Sequence, residues 1–119
     1  MEKYLEVLKR TTELSDTCLE GLEHIKGKLN DGHFEETIQL MNDMVIAFSQ
    51  IESSIQLIIP QLSSNNMESL TNSLRSAFEH TVFAYEQGQR EKVIEIFQFT
   101  LQPAFKRWSD EWVKISNNT

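Results

Sequence analysis

Helix breakers are scarce in this chain, which has two prolines and four glycines in 119 residues. Long stretches therefore run without punctuation, which argues against a many-turned β architecture and for long helices. Cysteine is scarcer still. Cys18 stands alone, so no disulfide can close within the chain, and a reducing compartment, the cytoplasm, is the expected home. Long apolar runs are missing too. The densest cluster, "IQLIIPQL" at 55–62, is far too short to span a bilayer. The opening "MEKYLEVLKR" lacks the apolar core of a secretory leader. Nor is there an excess of Lys and Arg: 11 cations face 18 carboxylates, a formal charge of −7. Phosphate recognition needs clustered cations, so neither nucleic acid nor an anionic membrane surface is an expected partner. Acidity instead favours solubility and basic partners.

What remains is a composition with 39% hydrophobic and 24% charged residues, suited to one globular domain over 1–119 with its own core. Four amphipathic helices account for it. The first runs from about 2 to 30, with Tyr4, Leu8, Thr11, Ser15, Cys18, Leu22, Ile25 and Leu29 on one stripe. The second runs from about 33 to 62, with Phe34, Ile38, Met41, Val45, Phe48, Ile51 or Glu52, Ile55, Ile59 and Leu62 facing inward; Pro60 should bend or end it. The third starts near Met67, where Asn65 and Glu68 have capping-box spacing, and stops at Gln87-Gly88; Leu70, Leu74, Ala77, Phe78, Thr81 and Tyr85 form its stripe. The fourth covers about 89 to 115, with Ile94, Phe97, Leu101, Ala104, Phe105, Trp108, Trp112 and Ile115 inward, and Pro103 kinking it near Phe99. Short connections make consecutive helices antiparallel neighbours, so the expected fold is all-α: an antiparallel up-down-up-down four-helix bundle of two tandem hairpins, about 2–62 and 66–116.

The hairpins read as one unit written twice. At a shift of 56, Leu14 meets Leu70, Glu23-His24 meets Glu79-His80, Gly32 meets Gly88, Glu35 meets Glu91 and Ile38 meets Ile94. Past residue 41 the match improves at a shift of 57, where Ala47-Phe48 meets Ala104-Phe105. The fourth helix thus carries one extra residue near Pro103, which a helix absorbs as a π-bulge.

No catalytic, cofactor or metal site emerges. Carboxylate-bridged metal bundles need Glu-x-x-His on inward faces, a motif this chain does not contain. His24 and His80 are expected on outer faces, and His33 at a helix start. Cys18 falls on the apolar stripe in mid-helix, the place of a small buried hydrophobe rather than of an activated nucleophile. Phosphate-binding glycine loops and Ser/His/Asp arrangements are not recognisable.

Surplus hydrophobicity is the remaining signal. Ile46, Leu57, Phe83, Ile96 and Phe99 fall beside or outside the inward stripes. A large apolar group on an outer face marks a contact with another protein or with a second copy. Phe83 and Phe99 are the leading pair, on adjacent helices; Phe83 stands where the first hairpin has Gly27. The expected function is a non-enzymatic, protein-binding helical module acting through helices 3 and 4. The alternative is a self-associating structural homodimer. A metal-binding or enzymatic bundle ranks third.

The turn "NDGHFEETIQLMNDM" at 30–44 resembles turns in small flagellar export chaperones of the FliT and FliS kind. The resemblance implies a short, cytoplasmic, all-helical protein that holds an export substrate on an apolar helix groove. It covers about 15 residues, and no binding residue follows from it. Similar turns occur in tetratricopeptide-like hairpins, but a spacing of 56 residues is not their period of about 34.

Overall fold

The computed structural model of the chain describes residues 2–62 and 66–117, with side chains from residue 5 onward. Tyr4 and Asn65, assigned above to a stripe and a cap, lie outside the described side chains. The elements are α1 (Glu2–Asn30), α2 (Phe34–Ile55), a 3₁₀ turn (Ile59–Gln61), α3 (Met67–Glu86), α4 (Arg90–Ile96), a π-helical stretch (Phe97–Leu101) and α5 (Gln102–Asn117). α4, the π stretch and α5 follow one another with right-handed helical junctions, so they form one rod. Four rods build an all-α bundle of 46 × 21 × 19 Å, and no strand occurs among the described residues.

The same device ends the first and third rods. Gly32 and Gly88 have φ of +84° and +66°, where an L side chain is strained and glycine is not. His33 N–H donates to Lys28 C=O (2.9 Å) and Gly32 N–H to Leu29 C=O (3.2 Å); Gln89 N–H donates to Ala84 C=O (3.1 Å) and Gly88 N–H to Tyr85 C=O (3.0 Å). Both are Schellman turns, each satisfying carbonyls that the helix end leaves free.

α2 stops at Ile55, seven residues before the expected end. Pro60 has no N–H to give to Gln56, and its ring crowds the residue before it. The chain answers with tighter i→i−3 bonds, Ile58 N–H to Ile55 C=O (3.0 Å) and Gln61 N–H to Ile58 C=O (3.0 Å), so Ile59 and Leu62 are only half-buried. α3 begins with Asn66 at its cap, without a side-chain bond.

The last rod absorbs one residue at Phe97–Leu101, the stretch where the match between the hairpins slips from 56 to 57. Val93, Phe97, Leu101 and Phe105 are all buried at successive steps of four. In a straight α-helix such steps drift round the axis; the wider π turn holds all four on the core side. Pro103 follows directly, where its missing N–H costs least.

The core is aromatic at its centre. Phe48 stacks on Phe78 (centroids 5.0 Å apart) and meets Trp108 edge-on (5.7 Å); Phe105 and Trp112 lie 5.4 and 6.1 Å from Trp108. Each such side chain stabilises the fold by about 1.5–3 kcal/mol through burial, and ring geometry adds about 0.5–1.5 kcal/mol per pair. Trp108 Nε1 donates to Thr71 Oγ1 (3.0 Å), whereas Trp112 Nε1 and Ser15 Oγ are buried without a protein partner.

Side-chain bonds fix which levels of the rods face each other. Thr12 Oγ1 lies 3.2 Å from Ser116 Oγ, and Gln102 Nε2 donates to Glu23 Oε1 (2.9 Å). Between α2 and α3, Thr37 Oγ1 lies 2.8 Å from Tyr85 Oη, and Arg75 pairs with Glu52. Gly21 lets α2 come close to α1: a Cβ there would stand 2.9 Å from Met44 Cε.

Candidate functional site

The outer surface carries the candidate site. α3 buries Leu74, Ala77, Phe78, Thr81 and Ala84, which leaves Phe83 on the opposite side, 60% exposed. In the π stretch Phe97 and Leu101 are buried and Phe99, midway between them, is 70% exposed. Leu57, in the turn that follows α2, is 77% exposed, and Ile46 is 50% exposed on α2. Ile96 differs from expectation: it is half-buried and packs against the core, because α spacing sets it three residues after buried Val93, at the edge of the inward side. No ring contact joins Phe83 to Phe99 among the described residues, so the two do not form a stacked pair.

Ile38 corrects the inward stripe of α2. It is 48% exposed; Thr37 takes the core position, donating to Phe34 C=O (2.6 Å) and meeting Tyr85. Phe34 stacks on Tyr85 at 5.1 Å, and the Arg90 guanidinium lies 5.5 Å over the Phe34 ring, with Glu35 Oε1 3.6 Å away. Arg90 and Phe34 are counterparts in the two hairpins. The place where the second turn departs from the first is thus where the turns touch, cation over ring. Burial raises the Tyr85 hydroxyl pKa above its ordinary value, opposed in part by the Thr37 bond.

Residue by residue reading missed a cleft of about 460 Å³ between α1 and α2, lined by Val7, Leu14, Cys18, Met44, Ala47 and Ile51, with Arg10 and Gln50 at its rim. Its signal was the small, polar middle of the α1 stripe, Thr11 and Ser15, which cannot fill the seam. Cys18 is 5% exposed, and burial pushes its thiol pKa up. Such a thiol stays protonated and unreactive.

His24 and His80 are both exposed. His33 is exposed beside the turn, its Nδ1 3.1 Å from Glu36 Oε2. No group of three or more His, Cys, Asp or Glu side chains that could hold a metal ion exists among the described residues. None of the described helices is long and apolar enough to cross a membrane.

Residues 6–111 match the model of a family described as a domain of unknown function, DUF8042. The chain belongs to that family. The match runs from the second turn of α1 into α5, so a DUF8042 unit comprises all four rods and both glycine turns. No curated protein and no solved structure matches the chain.

Proposed function

We propose that this DUF8042 chain is a non-enzymatic, cytoplasmic protein-binding module, an adaptor or chaperone. It engages a partner through apolar side chains on α3 and the rod that follows. One observation carries the reading. Five of the seven phenylalanines and both tryptophans are buried, yet Phe83 and Phe99 stand 60% and 70% in solvent. Large aromatic groups outside the core gain little for the fold and much for an interface, where aromatics are enriched. The resemblance of the 30–44 turn to flagellar export chaperones supports the chaperone form of the reading, and the −7 charge speaks against nucleic acid.

The scaffold is an antiparallel up-down-up-down bundle of two duplicated hairpins. Opposed levels support the direction of the rods: Thr12 with Ser116 and Glu23 with Gln102, then Thr37 with Tyr85 and Glu52 with Arg75. Two matching Schellman turns and a π stretch at the register slip support the duplication.

The same exposed rings favour a second reading, a twofold homodimer closed through Phe83 and Phe99. Sedimentation velocity of the wild type and of a Phe83→Ser/Phe99→Ser double variant separates the two. Binding to a different protein predicts two monomers. A wild-type dimer that the double variant dissociates would make self-association the use of the patch and overturn the first reading.

A further inference from the structure

The charge of −7 is unevenly distributed. α2 carries Glu35, Glu36, Asp43 and Glu52 with no Lys, Arg or His. α3 carries Glu68, Glu79 and Glu86 against a single Arg75. Four acids without a base, and three acids against one, leave these two helices six of the seven net negative charges. The rod from Arg90 to Asn117 holds five cations and four acids. Arg75 is already committed to Glu52, and Arg90 to Glu35 and the Phe34 ring. Asp43, Glu79 and Glu86 are exposed and make no ion pair with a described residue.

The same face is apolar between its acids. Tyr85 is held against Phe34 and Thr37. Ile38 adjoins Thr37, and Phe83, on the side of α3 away from its buried residues, lies within one turn of Tyr85, so both stand at one level of the bundle on its outer surface, 48% and 60% exposed. Half-buried Val82 adjoins Phe83, and half-buried Val45 and exposed Ile46 extend the apolar line two turns further along α2.

We propose that the α2–α3 face docks a basic amphipathic helix of another protein. The inference rests on the protein-binding reading at Phe83; it pairs α3 with α2 instead of with the rod that follows, and adds the charge of the partner. An apolar stripe on the incoming helix covers Ile38, Phe83 and Ile46, and Lys or Arg on its flank meet Glu79 and Glu86. A second copy is the poorer occupant, because a twofold contact through this face sets carboxylates against carboxylates. Phe99 lies on the cation-rich rod and is no part of this face.

The test uses the full chain and three labelled peptides, followed by fluorescence anisotropy. One is an amphipathic Leu/Lys helix, one the same helix with Glu for Lys, and one a scrambled Leu/Lys peptide of equal composition. The Leu/Lys helix is expected to bind saturably and to weaken as salt rises. Ile38→Ser/Phe83→Ser is expected to weaken it by at least about tenfold, with Phe83→Ser alone as the variant should the double substitution fail to fold. Glu79→Gln/Glu86→Gln is expected to weaken binding and flatten its salt dependence, and Phe99→Ser to leave it unchanged. Equal binding of the scrambled peptide, or indifference to Ile38 and Phe83, would overturn the proposal. Equal binding of the Leu/Glu helix at Phe83 would overturn the basic class alone and leave the protein-binding reading standing. The failure of that reading is a different result, the Phe83- and Phe99-dependent dimer in sedimentation.

Discussion

Gly32 and Gly88 hold positive φ in open space, with nothing within 4 Å of an added Cβ. Alanine there meets strain and no clash. Gly32→Ala and Gly88→Ala should therefore each cost about 1 kcal/mol, read from urea unfolding, and the two costs should match because the turns match. Buried hydroxyls divide differently. Ser15 Oγ has no protein partner, so Ser15→Ala removes an unpaired polar atom and should stabilise by about 0.5–1 kcal/mol. Thr71 accepts from Trp108, so Thr71→Val strands that donor and should cost about 1–3 kcal/mol. Cys18 should react with a thiol reagent far more slowly in the native protein than in urea, because burial both shields it and keeps it protonated. At this scale the sequence placed Ser15 on a stripe but gave Leu70 the position beside buried Thr71. It did not tell which hydroxyl finds a partner, since that depends on the facing helix: Ser15 and Thr71 look alike in one dimension and differ by a tryptophan across the core.

Among the elements, α1 was legible from end to end, because a stripe without breakers and a glycine stop leave little choice. α2 was not. Its apolar period runs on past Ile55 to Leu62, and the local chemistry of Pro60 overrides the pattern. Ile38 was misplaced for a related reason: Phe34 and Met41 are compatible with either Thr37 or Ile38 as the inward residue between them, and only the hydroxyl of Tyr85 selects Thr37. The π stretch was legible from the slip between the hairpins, and its consequence can be tested. Deleting Thr100, an exposed residue within it, brings Phe97, Leu101, Phe105, Trp108 and Trp112 onto alternating three- and four-residue steps, the spacing of a straight bundle seam. The deletion should leave the melting temperature within a few degrees of wild type. Deleting Asn72 from α3, which has no such bulge, should abolish cooperative unfolding, because every later core residue turns by about 100°. Both are read by circular dichroism.

For the whole molecule, what the sequence showed was an excess: more large apolar side chains than four inward stripes can bury. It pointed to Phe83, Phe99, Ile46 and Leu57, which the fold leaves outside, and to Ile96, which is half-buried at the edge of the core. It did not show the cleft beside Cys18, since a gap between helices comes from how poorly two small stretches meet. The charge map, with six of seven net negative charges on α2 and α3, was readable from sequence once the helix limits were known, and it gives the apolar surface a preferred partner chemistry.

The central claim is that Phe83 and Phe99 serve a contact outside the bundle and not the bundle itself. Thermal unfolding of the Phe83→Ser/Phe99→Ser variant tests it most directly. Exposed rings contribute little to folding, so the account predicts a melting temperature within about 2–3 °C of wild type, since a change of about 0.5 kcal/mol shifts a domain of this size by no more than that. A fall as large as that of a core substitution such as Phe78→Ser would show that the two rings hold the fold together, and would contradict the account.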